Sequence, residues 1–145
     1  MLKLNKKNIR FAGIILFLIL AVGVSAPVHA ETKDYFFDLL VVGTSQTKAG
    51  ATKAGGSSFE NRFYVTQTFT EGPANCGIQF VYHPRYNGAK AGNNVKLSYS
   101  KTTKKGNNTY LSGQALAGRK YQLRCKAKSS IAEGEYARAK GRWTP

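Results

Sequence analysis

Side chains that could perform catalysis or bind a metal are few in this chain and lie far apart in its sequence. Beyond residue 30 the chain has one histidine, His83, and two cysteines, Cys76 and Cys125. A redox or nucleophilic cysteine usually has a second cysteine nearby, or a histidine with an orienting acid or amide. Neither arrangement occurs here, and one histidine with two distant cysteines is not a conventional metal ligand set. We therefore predict no catalytic residues, no metal site and no cofactor.

The carboxylates also argue against an enzyme. The seven in the chain are Glu31, Asp34, Asp38, Glu60, Glu71, Glu133 and Glu135. Glu133 and Glu135 would share one face of a strand, and two carboxylates can act as acid and base on a sugar. No second acidic or histidine cluster accompanies them, so we interpret them as solvated residues that balance nearby cations. Asp38 lies inside an apolar run, where a buried carboxylate would need a partner such as Arg62.

Positive charge is the most distinctive feature of the chain. Its 145 residues include 22 Lys and Arg against 7 Asp and Glu, a formal charge of +15. No Asp or Glu occurs in the 61 residues from Gly72 to Ala132. That interval holds eleven cations: Arg85, Lys90, Lys96, Lys101, Lys104, Lys105, Arg119, Lys120, Arg124, Lys126 and Lys128. A long field of one sign commonly marks non-specific binding of a polyanion.

The first 30 residues have the three parts of an export signal. Met1–Arg10 is basic, Phe11–Val24 is apolar, and Val28-His29-Ala30 places small residues before a cleavage point at Glu31. The alternative is an uncleaved membrane anchor, but a spanning helix needs about 20 apolar residues. We predict a signal peptide over residues 1–30 and a secreted domain over 31–145. The mature chain then keeps 18 Lys and Arg against 7 acids, a charge of +11.

Export also bears on the two cysteines. Oxidising compartments favour disulfides, and an exported chain with two cysteines most simply forms one bridge. We therefore predict a structural disulfide between Cys76 and Cys125. Both residues fall at apolar positions of expected strands, as in domains whose two sheets are bridged through the core.

The mature chain alternates apolar and polar residues with a period of two, which is typical of half-buried strands. Seven strands are expected, over residues 35–42, 62–69, 75–83, 95–100, 109–116, 120–128 and 134–143. Residues 44–58 lack large apolar side chains and predict a long loop, and residues 104–108 predict a hairpin turn. With no helical period, the pattern indicates one all-β domain, an antiparallel β-sandwich of about seven strands, with a barrel as the alternative.

The alternation is clearest in Lys120–Lys128, where apolar residues share one parity and basic residues the other. Such strands would present a positive sheet face to solvent. The candidate polyanion-binding residues are Lys96, Lys104, Lys105, Lys120, Arg124, Lys126 and Lys128, with Tyr86 and Tyr110 as aromatic contacts near loops. The alternative is a solvated basic surface that maintains solubility and protects edge strands from pairing.

These features favour a secreted, monomeric, cationic binding module. Its partners would be phosphate-bearing polymers or surfaces: teichoic acid, anionic lipid or nucleic acid. Attraction of this kind could retain the protein at the cell surface. The alternative is a bacteriocin-like antagonist, or an inhibitor of a foreign protein, that uses its charge only for approach.

The basic leader, the Tyr-, Lys- and Gly-rich strands and the closing segment Gly141–Pro145 resemble small secreted β-proteins of Gram-positive bacteria. The resemblance implies export and a small β-fold. It transfers no activity and no site residues.

Overall fold

The computed structural model describes residues 30–56, 59–73 and 75–145. Almost all of the predicted signal peptide lies outside these ranges, so export stays a prediction. Within them the chain forms nine strands and no α-helix, and therefore no helix that could cross a membrane. The strands are β1 (Lys33–Val41), β2 (Ser45–Thr52), β3 (Arg62–Glu71), β4 (Gln79–Tyr86), β5 (Ala89–Lys90), β6 (Val95–Ser98), β7 (Lys104–Thr109), β8 (Lys120–Lys128) and β9 (Tyr136–Thr144).

The strands form two antiparallel sheets, and the predicted all-β class is confirmed. One is a four-stranded sheet in the order β1-β9-β3-β7. The other is a five-stranded sheet in the order β2-β8-β4, with β5 and β6 both pairing with the far edge of β4. The sheets pack in a sandwich-like arrangement and do not close into a barrel.

Alternation of side chains builds one core from the facing sides of the two sheets. In β8 the inward residues Tyr121, Leu123, Cys125 and Ala127 are all fully buried. The four-stranded sheet contributes Trp143, whose indole Nε1 donates to the carbonyl of Ala49 across the core at 2.7 Å. A second polar contact joins the sheets where the Tyr82 hydroxyl donates to Gln67 Oε1 at 2.7 Å. Buried polar groups with partners of this kind fix how two apolar faces align.

A β-bulge in β3 breaks the alternation that the sequence predicts. Gln67 pairs with Gly141 and Phe69 with Lys140, so Thr68 is an extra residue in β3. Beyond it the side chains change faces. Phe69 is 44% exposed, whereas Phe63, at the same parity in sequence, is fully buried. The expectation that Phe69 packs inward with Phe63 is therefore wrong, because a bulge re-aims the side chains that follow it.

Two segments predicted to be irregular are strands. The expected loop over 44–58 contains β2, which pairs with β8 at an edge of the five-stranded sheet. An edge strand needs little apolar surface, and β2 buries only Ala51 fully. The expected turn over 104–108 lies in β7, which pairs with β3, whereas residues 111–116 form no strand.

The predicted disulfide between Cys76 and Cys125 is wrong, since the two cysteines are not bonded to each other. Both belong to the same sheet region. In the pairing of β4 with β8, Cys125 lies opposite Tyr82. The carbonyl of Cys76 instead accepts from the hydroxyl of Ser129, which lies four residues after Cys125 in the chain. Four residues of extended chain span about 14 Å at 3.4 Å per residue. A disulfide needs Cα atoms within about 7 Å.

Lys53, just after β2, has its side chain in the interior. It is 1% exposed, and its ammonium donates to the carbonyl of Arg62 at 3.1 Å. The same nitrogen lies 4.5 Å from the centre of the Tyr110 ring. Burial lowers the pKa of Lys53, and the nearby Glu60 opposes that shift. The partners of the amine give it a structural role in closing this end of the core.

Candidate functional site

The strand β8 carries the basic residues that define the candidate site. Its inward positions are apolar, so the period of two leaves Lys120, Arg124, Lys126 and Lys128 on the opposite side. Lys120 and Lys128 at its ends are exposed, and Arg124 and Lys126 in its middle are half-buried. This arrangement agrees with the sequence prediction.

The strands β4, β5 and β6, on one side of β8, extend the positive surface. Val81 of β4 lies between Lys126 of β8 and Lys96 of β6 in the sheet register. The two lysines are thus two strands apart, at about 10 Å between backbones. We call the outer surface of this sheet the basic face. Its cations are Arg85, Lys90, Lys96, Lys120, Arg124, Lys126 and Lys128.

Arg124 is held in place near the middle of the basic face. Its Nε donates to the hydroxyl of Ser45 on β2 at 2.8 Å, and its Nη2 contacts the same oxygen. Two bonds to one anchor restrict the guanidinium, so less side-chain entropy is lost when it binds an anion.

His83 lies directly opposite Arg124 in the register. Burial, followed by the charges of Lys90 and Arg85, lowers the pKa of His83 to about 4. The imidazole is therefore neutral near pH 7, and its depressed pKa reflects burial first and the positive charge of its neighbours second. The candidates predicted from the sequence did not include His83, Arg85 or Lys90. Only His83 falls on the outward parity of the third expected strand, residues 75–83, and the other two lie beyond its end.

No carboxylate lies on any strand of the five-stranded sheet. Asp34, Asp38 and Glu71 lie on the four-stranded sheet, and the other four acids lie in loops or before β1. Glu133 reaches one end of the basic face, where it lines an open cleft of about 530 Å³ with Lys126 and Lys128. At the β2 edge, the carboxylate of Glu31 accepts from the hydroxyl of Thr52, which pairs with Lys120.

Four of the predicted contact residues lie elsewhere. Lys104 and Lys105 are exposed, but they belong to β7 in the four-stranded sheet. Tyr110 is 3% exposed, with its ring 5.1 Å from that of Tyr121, so it is a core residue. Tyr86 is half-buried, and the centre of its ring lies 5.3 Å from that of Tyr121. The prediction of Tyr110 as a surface contact is wrong, because its strand end turns inward to cover the core.

The acidic residues considered above either form ion pairs or lie in loops. Asp38 accepts from Arg138 at 2.6 Å, and Arg138 also donates to Glu71 at 2.8 Å. The partner of Asp38 is therefore Arg138, and not Arg62 as the sequence suggested. Glu133 and Glu135 lie in the exposed loop between β8 and β9.

Among residues 30–56, 59–73 and 75–145, no group of three or more His, Cys, Asp or Glu could hold a metal ion.

No protein-family profile, curated protein sequence or solved structure matches this chain.

Proposed function

We propose that this protein is a secreted, cationic binding module that holds an anionic polymer or surface on its basic face. The observation that supports the proposal most directly is the acid-free sheet surface around Arg124. Seven cations project from neighbouring strands of this sheet, and none of those strands carries a carboxylate.

Binding would work by replacing counterions. A phosphate polymer carries condensed cations, which are released when Lys and Arg neutralise the phosphates, and the affinity then falls steeply with salt. Lys96, Lys126 and the anchored Arg124 would form the centre of contact. A surface whose contacts are mainly cations would select charge density and spacing over chemical detail.

The surroundings of His83 support binding over catalysis. A general base works best with a pKa near the operating pH and an orienting partner. His83 has its pKa lowered to about 4, and its charged neighbours are cations. We propose that it is a contact residue and that the protein is not an enzyme. Teichoic acid, anionic lipid and nucleic acid share the phosphate chemistry that the basic face would bind.

The proposal is tested with long-chain inorganic polyphosphate as the ligand. The triple variant Lys120→Glu, Arg124→Glu and Lys126→Glu should weaken binding by at least about tenfold at low salt. It should also reduce the slope of log K against log salt concentration by about 3, since three phosphate contacts are lost. Circular dichroism checks that the variant is folded.

The matched control is Lys101→Glu, Lys104→Glu and Lys105→Glu, which changes the total charge equally but away from the basic face. These lysines are exposed, and none forms an ion pair among the described residues. If both triple variants lose the same affinity, net charge alone drives binding and the assignment to this face fails. If neither loses affinity, the basic face is not the binding site, and if the unmodified protein does not bind polyphosphate at all, it is not a polyanion binder.

A further inference from the structure

The outer surface of the four-stranded sheet exposes large aromatic side chains. Phe36, Tyr64, Phe69 and Tyr136 are 40–59% exposed and lie on its three adjacent strands β1, β9 and β3. We call this surface the aromatic face. Single exposed apolar residues are ordinary, but a cluster on one flat surface usually marks a binding site.

The register places a cation between two of the rings. Phe36 of β1 and Phe69 of β3 both pair with Lys140 of the intervening strand β9. The two phenylalanines are thus about 10 Å apart between backbones, with the exposed Lys140 on the strand between them. Along β9, Lys140 and Arg142 share this side of the sheet at a separation of about 7 Å.

Local backbone geometry is responsible for the exposure of Phe69. Without the bulge at Thr68, strict alternation would direct Phe69 to the core. Bulges that re-aim a side chain are concentrated at functional surfaces. Phe36 lies on β1, where its ring is exposed to solvent although its neighbours Tyr35 and Phe37 are buried.

Charges on the aromatic face are partly compensated. Arg138 pairs with Asp38 and Glu71, and Asp34 lies opposite Arg142. Among the described residues, no carboxylate lies within ion-pair distance of Lys140 or Lys105. The face therefore combines open rings with a small number of available cations, in contrast to the dense charge of the basic face.

We propose that the aromatic face binds single-stranded nucleic acid, with bases stacked on Phe36 and Phe69 and the intervening backbone phosphate neutralised by Lys140. Sheet surfaces that hold single strands combine stacking rings with nearby cations in this way. The chain of the ligand would run across the strands, where Arg142 and Lys105 offer further phosphate contacts.

Two other occupants fit the surface less well. A second copy of this chain would need about 800 Å² of each partner for a standard interface, and this sheet surface offers roughly 500 Å². A membrane would be entered more readily by protruding loops than by a flat sheet whose rings are interleaved with the ion pairs of Arg138. A nucleic acid would bring a phosphate that Lys140 can neutralise, and a neutral partner would not.

The test compares two polyanions, of which only one carries aromatic bases. One is a labelled oligothymidine of about 15 nucleotides, and the other is inorganic polyphosphate of matched charge. The double variant Phe36→Thr and Phe69→Thr should weaken binding of the oligonucleotide by at least about tenfold and leave binding of polyphosphate unchanged. The control variant Phe36→Tyr and Phe69→Tyr keeps both rings and should retain affinity, as measured by fluorescence anisotropy.

Unchanged oligonucleotide affinity in the threonine variant would overturn the proposal, as would an equal loss for both ligands. A loss seen only with vesicles of anionic lipid would assign the face to a membrane, and a loss of self-association in sedimentation would assign it to a second copy. The inference does not rest on the basic face. Charge reversal there should weaken polyphosphate binding, whereas the ratio of oligonucleotide affinity to polyphosphate affinity should fall only when the phenylalanines are changed, so the two proposals fail separately.

Discussion

The basic face and the aromatic face are built from the same kind of strand but present opposite chemistry to solvent. On the basic face, β8 alternates buried apolar residues with outward cations, and no strand of its sheet carries an acid. On the aromatic face, Lys140 and Arg142 are interspersed with exposed rings and with the ion pairs of Arg138.

In the two functions that we propose, one small fold separates two tasks. A dense field of one sign attracts any polyanion, because charge carries little information about the shape of the ligand. Rings select ligands that have flat, stackable groups, because stacking requires a matching surface. Together the faces would attract phosphate polymers broadly and retain those with bases more tightly.

The largest expected effect distinguishes the inner and outer sides of β3. Phe63→Ala should lower the free energy of unfolding by about 3–5 kcal/mol, because it leaves a cavity in the core. Phe69→Ala should change it by no more than about 0.5 kcal/mol, since its ring is exposed at a surface position. Urea denaturation of both variants measures the difference. Equal losses would mean that Phe69 is a core residue and that the aromatic face does not exist.

The next effect concerns the residue that accommodates the bulge. A Cβ on Gly141 would lie 1.9 Å from the carbonyl oxygen of Thr66, which is backbone and cannot move freely. Gly141→Ala should therefore destabilise the protein by about 1–3 kcal/mol or more. The control is Gly106→Ala in the same sheet, where the nearest atom, 2.7 Å away, belongs to the side chain of Val95. A smaller loss for Gly141→Ala than for Gly106→Ala, measured by thermal denaturation, would contradict this account of the close approach.

A smaller effect should appear as a pH dependence of polyphosphate binding through His83. In the free protein its pKa is about 4, through burial, Lys90 and Arg85, and Arg124 faces it from β8. A bound polyanion would raise that pKa, so the complex takes up a proton and affinity increases as pH falls from 6.5 towards 4. The increase should be at most about tenfold for each unit by which the pKa rises.

His83→Gln should remove this increase, and isothermal titration in two buffers should show no proton uptake for the variant. The stability of the free protein should change in the opposite direction. The unfolded state binds the proton first, because its histidine has an ordinary pKa, so the free energy of unfolding decreases as pH falls from 6.5 to 4. A wild-type affinity that is flat across this window would remove His83 from the basic face.

The smallest effect compares one arginine from each face. Arg138→Gln removes two exposed ion pairs, which should lower the thermal midpoint slightly, with the difference disappearing in high salt. Polyphosphate binding should not change. Arg124→Gln should do the reverse, with weaker binding and a lower salt slope at nearly constant stability. If Arg138→Gln weakened polyphosphate binding as much as Arg124→Gln, the two faces would not be functionally distinct.

Local pattern was sufficient to predict the basic side of β8. Alternating Lys and apolar residues there specify which side chains face water, whatever the neighbouring strands are. It was not sufficient for β2, whose small residues resemble a loop and become a strand only because β8 offers an edge to pair with. Lys104 and Lys105 show the same limit, since only the pairing of β7 with β3 assigns them to the other sheet.

The sequence by itself determined the all-β class, the sign and concentration of the charge, and the amphipathic character of β8, because these depend on composition and on neighbours two residues apart. The tertiary structure alone decided that Cys76 and Cys125 are too far apart to bond, that Tyr110 is buried and that Phe69 faces solvent. Each of these depends on register between strands distant in sequence. One extra residue in β3 reverses the side chains beyond it, and no local period records where a partner strand will place that residue.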